Sequence, residues 1–283
     1  MSRTSPLRVG AAVAGIAIAA LALSACQTGA TTDPTTEPAA SEWVTDGKFT
    51  VGTGEPAYFP WVVDDAPESG EGFEAAVAYA VADQLGFAED DVEWVRTTFE
   101  QAIAPGVKTF DINLQQFTID ESRAESVDFS SPYYSTPQAV ITVAGSPAAD
   151  AASIADLEGY LIGAASGTTS FTTIEDVIKP SSGAQAFNSN DDAKLALEAG
   201  TVDAIVVDLP TAFYLTGVEL TDGVLLGQLP LSGIADEWGF VLEKDSPLTA
   251  DVSAAVDALR ESGTLQELAD EWLEAGAGAP VLQ

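Results

Sequence analysis

Histidine is absent from the 283 residues, cysteine and methionine occur once each, and ten basic residues stand against 44 acidic ones, a formal charge of −34. Each shortage removes a class of chemistry. Without histidine, and with a single thiol, there is no Ser-His-Asp or Cys-His catalysis and no zinc site built from imidazole or thiolate. The scarcity of Lys and Arg disfavours nucleic acid and anionic surfaces as partners, since such surfaces need both. Carboxylate-only metal sites survive that count, but no DxDxDG calcium loop occurs. Neither a metal nor a cofactor is expected. Beyond the first 25 residues no apolar run is long enough for a membrane-crossing helix.

What the chain does have begins with an export-like N-terminus. Arg3 and Arg8 precede a nearly continuous apolar run from Val9 to Leu23, the length of a signal h-region and short for a membrane span. The run ends in Leu23-Ser24-Ala25-Cys26, which resembles the bacterial lipobox, whose cysteine is linked to a diacylglyceryl group. Residues 1–25 are thus expected to be a signal peptide and Cys26, the sole cysteine, a lipidated residue. Residues 26–42 are Thr, Pro, Ala and Glu with little to bury, the composition of a flexible tether. Removing residues 1–25 takes away Arg3 and Arg8 and no acid, so eight basic residues remain against 44 acidic ones. Folding is expected to begin near Trp43, and the roughly 230 residues to Leu273 suffice for two modest lobes or one large domain.

Short apolar runs alternate with helical patterns, which predicts α/β layers on largely parallel strands. Strands are expected at Phe49–Gly52, Val92–Arg96 and Phe110–Leu114, with a helix between Gly70 and Gly86 whose apolar positions are Phe73, Ala76, Val77, Ala80, Val81 and Leu85. A short helix follows Phe99. A second series predicts strands at Ala139–Val143, Tyr160–Ala165, Ala186–Phe187 and Val202–Val207, a helix started by Ser153-x-x-Asp156, another from Thr169, and a third over Asp191–Ala199. A strand at Trp238–Leu242 and helices from Pro247 and Thr264 follow, the last with a Thr264-x-x-Glu267 capping box.

Six landmarks then fall in one order: Val51-Gly-Thr with Pro56-Ala-Tyr-Phe-Pro-Trp61, Thr118-Ile-Asp-Glu-Ser-Arg123, Val127-Asp-Phe-Ser-Ser-Pro-Tyr-Tyr134, Gly167-Thr-Thr169, Val202-Asp-Ala-Ile-Val-Val-Asp208, and Gly263-Thr-Leu-x5-Glu-Trp272. In these the chain resembles the extracellular solute-binding proteins of family 3, which serve polar amino-acid ABC importers, over about Phe49 to Leu273. The resemblance implies a two-lobed, type II periplasmic-binding-protein-like α/β fold with two chain crossings, near Ser135–Gln138 and Ser232–Asp236. Lobe 1 would hold residues 43–136 and 234–275, lobe 2 residues 137–233, and residues 276–283 a C-terminal tail. An amino acid or closely related zwitterion would bind in the cleft, and hinge closure would bury it. Partners would be ABC permease and ATPase subunits and, through the lipid, the outer face of the cell membrane. A monomer is expected, with no enzymatic step and no nucleic acid.

Site residues follow by position. A buried α-carboxylate calls for a bidentate guanidinium; of the three arginines outside the signal, Arg123 matches the family's carboxylate-binding arginine, a surface or inter-lobe salt bridge being its plainer reading. Thr118 matches the position that assists it. Thr168 and Thr169 match the second lobe's contribution at a helix N-terminus, although Gly-Thr-Thr is also a common N-cap. Asp208, ending an apolar strand, matches the ammonium-binding acid, and Gln116 the position whose carbonyl receives the ammonium, in place of the small residue usual there. Tyr58, Trp61 and Phe99 fall where aromatics flank the ligand's side chain, though such residues are more often core. Glu55 lies near an acid that in some relatives meets a basic side chain, with one extra residue of spacing, so a cationic ligand is one hypothesis. The rival readings are a cyclohexadienyl-type dehydratase on the same fold, for which Glu55 or Asp208 is as good a nominee as any cleft acid, and a lipid-anchored sensing co-receptor.

Overall fold

The computed structural model describes residues 42–230, 236–273 and 279–283. The expected signal peptide, Cys26, all of the tether but its last residue and most of the second crossing lie outside the described residues. The chain runs through β1 (Phe49–Thr53), α1 (Phe73–Gln84), β2 (Val92–Arg96), α2 (Phe99–Ile103), β3 (Ile112–Asn113), β4 (Val127–Phe129) and β5 (Tyr134–Thr136). It continues through β6 (Gln138–Val143), α3 (Ile154–Leu157), β7 (Ile162–Ala165), α4 (Thr169–Thr173), β8 (Gln185–Phe187), α5 (Asn190–Glu198), β9 (Ala204–Asp208), α6 (Leu209–Tyr214) and β10 (Gly223–Gln228). The last elements are β11 (Asp236–Trp238), β12 (Val241–Glu243), α7 (Thr249–Ser262) and α8 (Thr264–Trp272).

Two five-stranded sheets result, ordered β2-β1-β3-β12-β4 and β10-β6-β9-β7-β8. The segments that link them, β5 and β11, pair antiparallel as a ribbon, Asp236 opposite Thr136 and Trp238 opposite Tyr134. The expectation of largely parallel strands is corrected. β1 runs parallel to β2 and β3, and β7 parallel to β8 and β9, but β12, β4, β6 and β10 pair antiparallel. β12, the strand that returns from the second sheet, lies between β3 and β4 and runs antiparallel to both, and sequence periodicity carries no sign of strand direction.

In β9 every residue from Ala204 to Val207 is buried, Ala204 and Val206 packing with Val140, Ile162 and Leu226, and Ile205 and Val207 with Ala139, Ile141 and Leu197. Both faces of this sheet are covered, which is why its central strand reads as a continuous apolar run. The first sheet packs Phe49, Val51, Ile112 and Leu242 against α1, α7 and α8 through Phe73, Val77, Val81, Val252, Val256 and Leu265. α1 buries Glu74, Ala75 and Ala78 in place of Ala76 and Ala80, so the apolar positions expected there marked only part of the face.

Two further expectations fail locally. The strand at Trp238–Leu242 is broken, because the Gly239 N–H donates to the Phe117 carbonyl and Phe240 bonds to Ser130, leaving Trp238 in the ribbon and Val241 in the sheet. Thr264 is not an N-cap: Gly263, with φ of 87°, ends α7 and opens α8 at once, and having no side chain it forms no capping box with the residues that follow. The Ser153 capping box forms as expected, with its hydroxyl accepting from the Asp156 N–H.

Residues 280–283 carry a feature that the sequence did not suggest. The Gln228 N–H donates to the Pro280 carbonyl at 2.8 Å, the Leu282 N–H donates to Gln228 at 2.9 Å, and the Ile154 N–H donates to the Gln283 carbonyl at 3.1 Å. Leu282 is 3% exposed within the core of the second sheet. α8 packs on the first sheet, so the chain meets the second sheet again after its helices have ended. No helix among the described residues is long and apolar enough to cross a membrane.

Candidate functional site

A cavity of about 550 Å³ is lined from both sheets, by residues following β1 and β3 on one side and by residues following β7, β8 and β9 on the other. All ten sequence-nominated ligand residues, Glu55, Tyr58, Trp61, Phe99, Gln116, Thr118, Arg123, Thr168, Thr169 and Asp208, line it.

Arg123 begins a single 3-10 turn after β3. Its main-chain N–H and that of Ser122 both donate to Asp120 Oδ1, an Asx-type turn that sets the direction of the side chain. The guanidinium donates from Nη1 to the Thr118 carbonyl at 2.9 Å and from Nη2 to the Gly167 carbonyl at 2.7 Å, and lies 5.4 Å over the Phe99 ring. Burial lowers its pKa, opposed by Asp120, Asp236 and Asp208. Two carbonyls hold this cation, and among the described residues no carboxylate forms an ion pair with it at contact distance, which leaves the guanidinium open to an anion in the cavity.

Thr118 Oγ1 lies 3.3 Å from Thr169 Oγ1, and Thr169 donates to Asp236 Oδ2 at 2.9 Å. The Thr168 hydroxyl is committed to its own helix start, accepting from the Phe171 N–H at 3.2 Å and donating to the Ala165 carbonyl at 2.7 Å. At the end of β9, Asp208 accepts from Gln138 Nε2 at 2.6 Å, and the same nitrogen reaches Asp236 Oδ2 at 2.5 Å. Gln138 is oriented in turn by the Ser170 hydroxyl, which donates to its Oε1 at 2.6 Å. Burial, and then the Asp236 charge, push the Asp208 carboxyl up to about 8, against Gln138 and Arg123, which lower it.

Trp61 is both wall and core, packed edge-on to Trp238 at 5.1 Å. Tyr58 and Glu55 stand exposed at the rim, and Phe99 lies against Phe117 at 4.7 Å. Sequence reasoning missed four parts of the site. Glu74 in α1 is 2% exposed yet lines the cavity, and burial pushes it up to about 7. Asp236 joins the Gln138 network from the linking ribbon. Glu100, in the first turn of α2, lines the cavity and accepts from the Ser166 hydroxyl at 3.2 Å. At the far end, Lys194 Nζ lies 3.0 Å from Asp191 and 2.9 Å from Glu219, which also accepts from the Tyr214 hydroxyl at 2.6 Å. The helical face that Glu74 shares with Ala78 and Val81 was the available signal for its burial. Among the described residues no group of three or more Asp, Glu or Cys side chains is placed to hold a metal ion.

One wall thus offers a guanidinium aimed between main-chain carbonyls, the other a half-buried acid at a strand end. That is a complementary pair for a small molecule carrying one anionic and one cationic group. The model of bacterial extracellular solute-binding proteins, family 3, matches residues 49–275. An L-arginine-binding protein of Pseudomonas aeruginosa is 31% identical over 216 residues, covering 71% of this chain and 78% of that protein. An ABC transporter glutamine-binding protein of Bacillus subtilis is 24% identical over 222 residues, 74% of this chain and 75% of its own. The crystal structure of an ancestral amino acid-binding protein, described as a precursor of cyclohexadienyl dehydratase, superposes with a TM-score of 0.66 at 28% identity, covering 80% of this chain and 95% of that one.

Proposed function

This chain belongs to the bacterial extracellular solute-binding proteins of family 3, and from that premise we propose that it captures an amino acid outside the cytoplasmic membrane and delivers it to an ABC importer. The observation that carries this reading is the placement of Arg123 and Asp208 on opposite walls of one cavity. Arg123, with Thr118 and Thr169 beside it, takes the α-carboxylate; Asp208 and the Gln116 carbonyl take the α-ammonium; Tyr58, Trp61 and Phe99 flank the side chain. Residues 43–136 and 234–275 act as one lobe and 137–233 as the other, turning on the β5–β11 ribbon, and closure is favoured by ligand contacts from both. No bond is made or broken. Asp208 is held by Gln138, and Glu55, at the rim, accepts no hydrogen bond from any described residue that would position it as a general acid or base, which favours binding over dehydration.

The ligand's side chain is cationic in this reading. The cavity wall holds Glu55, Glu100, Asp191, Asp208 and Glu219 against Arg123 and Lys194, and Lys194 neutralises only part of that surplus. Calorimetry against the twenty amino acids tests it. L-arginine or L-lysine should bind tightest, and Arg123→Ala should lower affinity by about 3 kcal/mol or more, as when a buried charge loses its partner. Preference for a neutral or acidic amino acid rejects the cationic reading, and full binding by Arg123→Ala rejects the carboxylate assignment. The protein is further proposed to be a monomer anchored at the outer membrane face through a lipid on Cys26, supported by the sequence Leu23–Cys26. Cys26→Ser should then move it from the membrane fraction to the soluble one.

A further inference from the structure

Glu74 has no part in the reading above, yet it is a cavity-lining acid that is also fully packed, at 2% exposure. An acid at this depth persists only when its oxygens are satisfied. Here three donors converge: the Gln116 N–H at 2.8 Å and the Tyr133 hydroxyl at 2.5 Å, both on Oε1, and Gln116 Nε2 at 2.5 Å on Oε2. Two of the three come from Gln116, so the carboxylate grips one residue by both its main chain and its side chain.

Gln116 is the residue that needs such a grip. Its φ is 52°, in the left-handed region that a non-glycine residue enters at a cost. Its N–H is consumed by Glu74, while its carbonyl accepts no hydrogen bond from any described residue. Gln116 lines the cavity from the first sheet's side, and Asp208 lines it from the second. An ammonium has three N–H donors and is best held by several acceptors, of which one carboxylate supplies only part.

We propose that Glu74 is a positioning residue: by clamping Gln116 in its left-handed turn it presents the Gln116 main-chain carbonyl to the ligand's α-ammonium, across the cavity from Asp208. The inference rests on the amino-acid reading and adds to it a residue that touches no ligand. It separates two jobs within one sequence neighbourhood, since the acid that faces the ammonium comes from β9 and the acid that shapes its second acceptor comes from α1.

Calorimetry with two probes tests it: L-arginine, and 5-guanidinopentanoate, which is L-arginine without its α-ammonium. Should the unaltered protein prefer another amino acid, that amino acid and its deaminated form make the pair. In Glu74→Leu, affinity for L-arginine should fall about tenfold or more while that for 5-guanidinopentanoate moves less than about threefold. Glu74→Gln keeps an oxygen for the Gln116 N–H and should hold L-arginine within about threefold of the unaltered protein. Gln116→Val leaves Glu74 intact but disfavours the left-handed turn, and should reproduce the selective loss even if Glu74→Leu does not fold. A parallel fall for both probes assigns Glu74 to general stability and overturns the proposal. So does Glu74→Gln failing as Glu74→Leu does, since its charge would then be what matters, or unchanged L-arginine binding in Gln116→Val. If the unaltered protein binds none of the twenty amino acids, the functional reading falls and this assignment with it.

Discussion

Asp208 and Glu74 enter one cavity from opposite sides, and burial lifts both carboxyls far above their ordinary range, to about 8 and about 7. Tyr133, Gln116, Asp236, Gln138 and Arg123 surround them, and of these Arg123 alone carries a positive charge. A carboxyl raised in the folded state holds a proton there that the unfolded chain has already lost. Its contribution to stability is therefore complete below about pH 4 and is lost as pH rises through 7 to 8. An α-ammonium bound against Asp208 favours the ionised form of that residue, so ligand binding expels its proton and affinity moves the other way. Thermal unfolding of the ligand-free protein should show this part of its stability declining between pH 5 and 8.5, while calorimetry shows L-arginine affinity rising over the same interval. Affinity that is flat across that interval would mean that Asp208 does not change its protonation on binding. Asp208 contributes to both signs, which separates this behaviour from general acid or alkaline unfolding.

Among the elements, the segment 280–283 has the least sequence signal and a clear structural consequence. It lies along β10 and places Leu282 in the core of the second sheet, where Gly227 admits it: a Cβ at that position would stand 2.5 Å from the Pro280 carbonyl oxygen. Burying one leucine side chain is worth roughly 1.5–3 kcal/mol. Leu282→Asp should release the segment, lower the unfolding midpoint by several degrees and speed amide exchange at Gln228 and Ile154, while leaving Arg123 and Asp208 in place. Unchanged protection of those two amides in the variant would show that the leucine does not hold the segment. Two apolar residues after a proline, Val281 and Leu282, are too short a run to show a periodicity, which is why sequence patterning passed over them. Where periodicity was long the elements were legible: β9 as an apolar run, α5 ending before Gly200, and α3 through its Ser153 cap. Three-residue strands such as β4 and β5 were not, nor was β10, whose first three residues are only half-buried. The site follows the same division. Arg123, Thr169 and Asp208 stand at element ends, which turn and strand-end chemistry mark in the sequence, whereas Glu74 and Asp236 matter through partners 42 and 98 residues away.

The charge of the whole molecule bears on how a ligand reaches the cavity. Forty-four acidic residues against ten basic ones repel one another across the fold and surround it with a negative potential. Such a field destabilises the compact state and at the same time draws cations toward it, and both effects are screened by salt. They predict opposite responses in one experiment. Raising ionic strength from about 0.01 M to about 1 M shortens the screening length from roughly 30 Å to roughly 3 Å. The unfolding midpoint should rise, as self-repulsion is removed, while the association rate of L-arginine should fall about tenfold. L-glutamine carries no net charge, so its association rate should stay within about twofold over the same range. Trp61 forms part of the cavity wall and packs on Trp238, so stopped-flow tryptophan fluorescence reports the binding step directly. If L-arginine and L-glutamine associate with the same salt dependence, the acidic excess serves solubility alone, and selection of a cation rests entirely on the handful of acids in the cavity wall.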